Sequence, residues 1–261
     1  MKTKPWDFFM MVEMGVDRLH HGFWKYCDPL HPKYVPGNPF EHVFRDYYSA
    51  VDSKIGELIA IAGDSVSTIV VSDHGAKAMR GGLRVNQWLI DRGYLRLKET
   101  PAAGTRFEDC AVDWPNTRGW CSGGYYARVF LNVKDREPEG CVAPSDYECT
   151  RDEIVAGISS IKGRNDGPLN NRILKPEEIY LQTNGIAPDL IVYPDDLNWR
   201  AIGTVGHDSI YADENDTGPD DANHDYNGIF ISSEKMVSPP RTILDVAPGL
   251  LNRFGISRKS S

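Results

Sequence analysis

An aspartate and a histidine adjoin at the predicted end of a strand, in the segment Ser72-Asp73-His74-Gly75. The β-branched run before it, Thr68–Val71, predicts a buried strand. In open α/β sheets ligands bind at the carboxyl ends of strands, and Gly75 lets the chain turn sharply there. A carboxylate oxygen and an imidazole nitrogen are ligands for a divalent metal ion. Taken alone, this segment is explained equally well as a capped strand end with an exposed histidine.

A second carboxylate–imidazole pair is formed by Asp17 and His21, which are four residues apart in the sequence. If the chain becomes helical after Gly15, both side chains lie on one face of the helix. His20 would then point elsewhere, so His21 is the favoured ligand. His224 precedes the last predicted strand and can reach the same sheet edge. Each histidine by itself is better explained as an exposed residue.

Together these segments predict two neighbouring metal ions. Asp17, His21 and His224 would hold one ion. Asp73 and His74 would hold part of the shell of the other. Paired ions about 3.5–4 Å apart stabilise both the attacking and the leaving oxygen in phosphoryl transfer. The pattern therefore predicts a two-metal site for phosphoryl chemistry.

Two further residues are weaker candidates for substrate binding. His207 lies in a polar loop, where a structural or solvent-exposed role is the stronger alternative. Asn86 either lines the pocket or packs within its helix. An acidic cluster lacks the spacing of a calcium-binding loop and is predicted to be mostly solvated. It comprises Asp213, Glu214, Asp216, Asp220 and Asp221.

Composition limits the class of protein and its partners. The 261 residues carry a formal net charge of -8, which argues against a general nucleic-acid binder. A small phosphorylated substrate remains compatible with this charge, because bound cations supply positive charge locally. Five cysteines without a CxxC pair predict reduced thiols and a cytoplasmic location. The sequence contains no apolar run long enough for a membrane span and no signal-peptide core.

The remaining pattern predicts the elements that position these residues. Asp7–Gly15 is apolar and predicts a buried strand, and Phe40–Ala62 predicts a long amphipathic helix leading to the strand before Asp73. This strand–helix–strand unit implies a parallel, right-handed crossover. Helices are also predicted over 83–92, 145–162 and 242–254 and from Pro176, and strands over 94–97, 125–133, 189–193 and 228–231. We therefore expect an α/β fold with a mostly parallel central sheet and helices on both faces. It would form one domain over 1–261, with loop excursions at 24–39, 100–124 and 206–227.

Three features resemble the alkaline phosphatase superfamily: Ser72–Gly75, the spacing of Asp17 and His21, and the run His224–Phe230. The branch that they resemble is the type I phosphodiesterase/nucleotide pyrophosphatase group, which includes predicted phosphohydrolase/phosphomutase proteins. The segment 243–248 is similar to the C-terminal part of that group, and the resemblance covers nearly the whole chain. The sequence departs from related motifs at His20, where glycine is common.

The resemblance implies an alkaline-phosphatase-like fold and a metal-dependent phosphohydrolase acting through two divalent ions. Zinc is the favoured metal, with manganese or iron as alternatives. By resemblance, Asp17, His21 and His224 bind one ion, and Asp73 and His74 bind the other.

The same resemblance implies parts that this sequence does not show. The family needs an aspartate on an early strand and a threonine or serine nucleophile at the following helix, both upstream of the segment that matches Asp7–Gly15. We therefore expect the C-terminal half of such an enzyme, lacking the usual N-terminal portion and containing no catalytic nucleophile. Such a chain would expose apolar surface and either self-associate or bind the missing segment.

Other functions remain open on the sequence alone. Within the superfamily, a phosphomutase, a phosphonate hydrolase or a sulfatase is compatible with the motifs. A catalytically silent metal-binding domain that acts by association is a second class. A metal-free structural domain is a third, and it predicts that Asp17, His21 and His224 do not converge.

Overall fold

The computed structural model describes residues 1–164, 167–235 and 238–256 of the chain, which forms two compact units. The first unit comprises Met1–Pro29, Tyr34–Lys77 and His224–Ser261. The second comprises Leu30–Lys33 and Ala78–Asn223. The single domain expected from the sequence stays a prediction.

Six α-helices form within the described residues. They are α1 (Gly15–Cys27), α2 (Val43–Ala62), α3 (Val85–Asp91), α4 (Tyr147–Ser159), α5 (Pro176–Ile179) and α6 (Ile243–Arg253). The last five confirm helices predicted from the sequence, and the first meets the condition stated for Asp17 and His21. Helix α2 ends at Gly63, whose φ of 86° is readily adopted by glycine. Helix α6 begins with a capping box, in which Asp245 accepts hydrogen bonds from the backbone N–H and the hydroxyl of Thr242. None of these described helices has the length and apolar character required to cross a membrane.

The described strands are short and form several small sheets. They are β1 (Ile69–Val71), β2 (Gly75–Ala78), β3 (Gly81–Leu83), β4 (Thr105–Arg106), β5 (Gly119–Ser122), β6 (Ala127–Leu131), β7 (Arg172–Leu174), β8 (Leu190–Tyr193), β9 (Trp199–Ala201), β10 (Thr204–Val205), β11 (Tyr211–Ala212), β12 (Ala222–Asp225) and β13 (Phe230–Ser232). In the first unit β1 pairs antiparallel with β13, with Val70 opposite Ile231. Strand β12 pairs with β2.

The prediction of mixed helices and strands is confirmed, but a mostly parallel central sheet is not. The largest described sheet has the order β5-β6-β8-β7, and every neighbouring pair in it is antiparallel. A parallel pairing joins β3 to β9, while β11 adds antiparallel to the other side of β3. The apolar run that becomes β8 indicates burial, and burial alone does not determine the direction of its neighbours.

The strand predicted over Asp7–Gly15 is wrong, because helix α1 begins at Gly15 and the residues before it form no strand. The run has strand-like composition, but a strand also needs a neighbour to receive its backbone hydrogen bonds. Phe8, Met10 and Val12 are instead 54%, 72% and 71% exposed. The short strand predicted over 94–97 is reduced to one isolated bridge, at Leu97.

The described hydrophobic core lies in the second unit. It includes Leu89 of α3, Val129 of β6, Ile154 of α4 and Val192 of β8, all of which are fully buried. In the described part of the first unit, Leu19 is the one buried hydrophobic side chain. Most of the exposed large hydrophobic side chains of the described residues also lie in the first unit.

Candidate metal centre

Asp17, His21 and His224 converge in the first unit. The Nε2 atom of His21 lies 3.3 Å from Oδ1 of Asp17 and 3.3 Å from Nε2 of His224. Nε2 of His224 lies 3.9 Å from the same Asp17 oxygen. A tetrahedral zinc ion with ligand bonds of about 2.0–2.1 Å holds its ligand atoms about 3.3–3.4 Å apart. The three side chains therefore present their donor atoms at a spacing that fits one ion.

Helix α1 positions two members of this group. Asp17 lies in its first turn and His21 lies one turn later, so both face the same direction. A Cβ atom at residue 15 would overlap the hydroxyl of Tyr47 on α2, so glycine at this position lets the start of α1 lie close to α2. The Asp17 side chain is 46% exposed and that of His21 is 14% exposed. The group is therefore reachable from solvent on its carboxylate side.

His74 extends this group. One donor atom each from Asp17, His74 and His224 lie within 4.8 Å of one another. The rings of His74 and His224 stack, with their centroids 3.8 Å apart and an interplanar angle of 20°. Nδ1 of His74 lies 2.9 Å from the backbone oxygen of Gly75. When this nitrogen donates its proton to that oxygen, Nε2 keeps its lone pair for a metal.

Asp73 lies at the exposed edge of the group. Its Oδ2 atom is 3.6 Å from Nε2 of His74, and its side chain is 82% exposed. His74 is therefore close both to Asp73 and to the pair Asp17 and His224. The assignment of Asp73 and His74 to a separate second ion stays a prediction.

The electrostatic environment favours neutral imidazole at His224. Burial lowers the pKa of His224, and the nearby rings of His74 and His21 lower it further, while Asp17 and Asp73 oppose this shift. A neutral imidazole is the form that binds a metal ion, so the environment keeps this side chain ready to act as a ligand.

His20 faces away from this group, as expected from its position one residue before His21. Its Nε2 atom lies 2.9 Å from the hydroxyl of Tyr48. Its ring centroid is 5.4 Å from that of Trp24 and 5.2 Å from that of Phe44. His20 therefore packs α1 against α2.

The two weaker candidates lie in the second unit and have structural partners there. Asn86 is 1% exposed, donates to the backbone oxygen of Cys121 at 2.8 Å and accepts from its N–H at 2.8 Å. Nε2 of His207 lies 3.2 Å from the hydroxyl of Thr204, and its backbone N–H donates to Gln87. Substrate contact by Asn86 or His207 stays a prediction.

The acidic cluster is less solvated than predicted. Asp216 accepts hydrogen bonds from the backbone N–H groups of Gly203 and Thr204 at 3.0 and 3.1 Å. Asp220 pairs with the buried guanidinium of Arg200 at 2.6 Å. These carboxylates order a loop, a role that their sequence spacing did not indicate.

The sequence did not predict a structural role for Ser72. Its Oγ atom accepts a hydrogen bond from the backbone N–H of Ile229 at 2.8 Å, which joins the segment of His74 to that of His224. The one signal in the sequence was its place directly before Asp73.

A protein-family model matches most of the chain. The model of the type I phosphodiesterase/nucleotide pyrophosphatase family matches residues 1–223. His224 lies just beyond that range, so its place in the site rests on the distances given above. No curated protein sequence is significantly similar to this chain.

Among solved structures, human ectonucleotide pyrophosphatase/phosphodiesterase 5 is 15% identical, with a TM-score of 0.49 and an alignment that covers 94% of this chain. The chain spans 53% of the length of that structure. The family match extends over more than half of the chain. The chain therefore belongs to the type I phosphodiesterase/nucleotide pyrophosphatase family.

Proposed function

We propose that this chain is the metal-binding part of a phosphoric ester hydrolase of the phosphodiesterase/nucleotide pyrophosphatase type. The observation that supports this most strongly is the convergence of Asp17, His21 and His224, whose donor atoms lie 3.3 to 3.9 Å apart. Family membership supports the reaction class. Nitrogen and carboxylate ligands suit zinc, with manganese or iron as alternatives.

The proposal gives each side chain a defined role. Asp17, His21 and His224 would hold one ion, and His74 with Asp73 would hold a second. A donor atom of His74 also lies within 4.8 Å of those of Asp17 and His224, so the two ions would be neighbours. When bound, such ions supply positive charge that stabilises the oxygens of a transferring phosphoryl group. The substrate would be a small phosphorylated molecule, either a phosphodiester or a phosphate monoester.

The attacking nucleophile is proposed to come from another polypeptide segment. The described cluster presents carboxylates and imidazoles. Phosphoryl transfer of the kind that the family resemblance implies would use a hydroxyl nucleophile activated by the metal. The hydroxyl of Ser72 lies nearby, but it accepts the hydrogen bond from Ile229. One of its two lone pairs is therefore engaged in joining two segments.

Association with another polypeptide is part of the same proposal. Phe8, Met10 and Leu244 in the first unit are 54%, 72% and 80% exposed. Exposed apolar side chains of this kind favour either self-association or the binding of the N-terminal segment that related enzymes would contribute. Sedimentation velocity across a concentration series should show oligomers that disappear when Phe8 and Met10 are replaced by serine. A monomer at every concentration would contradict self-association.

Metal content tests the site directly. We expect elemental analysis of the purified chain, dialysed against zinc and then against buffer, to show bound zinc that is lost from an Asp17→Ala, His224→Ala double variant. A matched control is His42→Ala with Asp52→Ala, which also removes one imidazole and one carboxylate from exposed positions in the same unit. Equal zinc content in all three proteins would contradict the site.

Activity distinguishes the enzyme from its silent alternative. The metal-loaded chain should be assayed on bis(4-nitrophenyl) phosphate, alone and joined to an upstream segment that carries the nucleophile. Hydrolysis that depends on both the metal and the joined segment would support the proposal. Bound metal without hydrolysis in either form would favour a metal-binding domain that acts by association.

A further inference from the structure

The segments that carry His74 and His224 approach each other closely at two glycines. A Cβ atom at Gly75 would lie closer than 3.0 Å to the backbone oxygen of Asn227, a separation that real Cβ atoms essentially never show. A Cβ atom at Gly228 would similarly overlap Oγ of Ser72 and lie 3.3 Å from the backbone oxygen of His74. A side chain at position 75 would force the two segments apart, and one at position 228 would either displace the Ser72 hydroxyl or separate the segments.

Hydrogen bonds from Ser72 hold the same segments together. Its Oγ accepts from the backbone N–H of Ile229 at 2.8 Å, and its own N–H donates to the oxygen of Ile229 at 3.1 Å. These bonds continue the pairing of β1 and β13 up to the residue that precedes Asp73. The hydrogen bonds of Ser72 therefore join the two segments where the glycines at positions 75 and 228 allow them to approach closely.

We infer that Ser72, Gly75 and Gly228, here called the clasp, position the imidazole of His74 against that of His224. This inference rests on the proposed metal-binding function. His74 lies two residues after Ser72 and next to Gly75, and His224 lies four residues before Gly228. A small separation of the segments is thus transmitted to both rings, which stack at 3.8 Å.

The clasp acts on the imidazoles, and its members are positioning residues. Gly75 contributes twice, since its backbone oxygen also lies 2.9 Å from Nδ1 of His74 and fixes the tautomer that leaves Nε2 available. Metal sites require their ligands to be held within about 0.5 Å of the productive geometry. The clasp supplies this constraint between two segments that are distant in sequence.

Cobalt(II) binding, followed by the visible absorbance of the bound ion, tests the clasp. Gly228→Ala should weaken cobalt binding by at least about tenfold, in the range seen when groups that orient metal ligands are lost. Adding Ser72→Ala to Gly228→Ala should recover most of this loss, because Ser72 Oγ is the nearest atom that the new methyl group meets. This recovery is not expected from a general loss of stability.

Two matched variants sharpen the test. Gly75→Ala should also weaken binding, but Ser72→Ala should not rescue it, because the new methyl group meets the backbone of Asn227. Gly56→Ala should bind cobalt like the unaltered chain, since a Cβ atom at this position on α2 meets nothing within 4 Å. If Gly228→Ala fails to fold, Ser72→Ala alone should still weaken binding by a few-fold while retaining its far-ultraviolet circular dichroism.

A readout without metal separates this inference from the proposed function. In NMR spectra of the metal-free chain, the ring protons of His74 and His224 should carry mutual ring-current shifts that Gly228→Ala reduces and the double variant restores. Unchanged shifts and unchanged cobalt affinity in Gly228→Ala would overturn the clasp, as would strictly additive effects in the double variant. Absence of cobalt binding by the unaltered chain would overturn the proposed metal site, and the ring shifts would still decide the positioning.

Discussion

Nε2 of His21 and Nε2 of His224 lie 3.3 Å apart, although 203 residues separate them in the sequence. Two neutral imidazoles can meet at this distance when one nitrogen donates a proton to the other. A metal ion between them would instead accept a lone pair from each. Asp17 at 3.3 Å from His21 supplies the negative charge that favours the ion.

The adjacent histidines His20 and His21 should respond differently to replacement. His21→Ala should weaken zinc or cobalt binding by at least about tenfold, because it removes a donor atom from the cluster. His20→Ala should retain binding but lower the free energy of unfolding by about 1–2 kcal/mol, because it loses the Tyr48 hydrogen bond and its aromatic contacts. Metal titration and urea unfolding of both variants would measure this. Loss of metal binding in His20→Ala with binding retained in His21→Ala would contradict the orientation of α1.

A buried carboxylate should control the stability of the second unit. Asp189 is 4% exposed and accepts hydrogen bonds from Arg136 at 2.8 Å, from the hydroxyl of Tyr147 at 2.7 Å and from the backbone N–H of Leu131 at 2.6 Å. Asp189→Asn leaves Arg136 with only Glu137, at 3.1 Å, as a charged partner, and the amide cannot accept all the hydrogen bonds that the buried carboxylate accepts. The change should reduce the free energy of unfolding by about 3 kcal/mol in urea titrations.

An exposed carboxylate provides the control for that experiment. Asp152 pairs with Lys175 at 2.9 Å, but its side chain is 65% exposed. Asp152→Asn should therefore change the free energy of unfolding by less than about 1 kcal/mol. Similar losses from Asp152→Asn and Asp189→Asn would contradict the importance of burial.

Stability should fall in mild acid because of His31, which is 4% exposed. Burial lowers the pKa of His31 in the folded chain and Lys33 lowers it further, while Asp221 opposes the shift. The unfolded chain has a histidine pKa of about 6.5 and therefore binds more protons as the pH decreases through that value. The contribution of His31 to stability is intact well above pH about 6.5 and decreases from there down to its lower folded pKa.

Replacement isolates this pH effect. An asparagine oxygen can accept the hydrogen bond that Nδ1 of His31 accepts from the Lys33 N–H at 3.1 Å. Urea unfolding midpoints of the His31→Asn variant should thus decrease less between about pH 7 and pH 5 than those of the unaltered chain. Parallel pH profiles for the two proteins would exclude His31 as the source.

The cysteines should differ in reactivity. Burial raises the pKa of Cys121 to about 12, whereas Cys149 is exposed. Iodoacetamide at about pH 8 should label Cys149 in the native protein and reach Cys121 only after denaturation, as judged by peptide mass spectrometry. Rapid native labelling of Cys121 would show that its strand opens readily.

The local parts of this structure could be predicted from sequence because short-range rules determine them. The i, i+4 spacing of Asp17 and His21 places both on one face of any helix, and the Thr242–Asp245 capping box marks where α6 begins. His224 was expected near them from its position before a strand. These inferences needed no knowledge of which elements are neighbours.

The remaining features depend on contacts between distant segments. The apolar run at Asp7–Gly15 resembles a strand, but the described structure gives it no pairing partner. The relative directions of the paired strands were not predicted either, because they depend on which distant segments become neighbours. The sequence also shows that glycine occupies position 228, but it does not show that Ser72 faces that glycine. Close approach of this kind is determined by the partner surface as much as by the residue itself.

X-ray absorption at the zinc edge of the chain loaded with one equivalent of zinc tests the central claim most directly. We expect a first shell of nitrogen and oxygen at about 2.0–2.1 Å, with outer-shell scattering from at least two imidazoles. His224→Ala should reduce that imidazole scattering. A first shell of sulfur at about 2.3 Å would instead place the ion on cysteines and contradict the site, as would the absence of retained zinc.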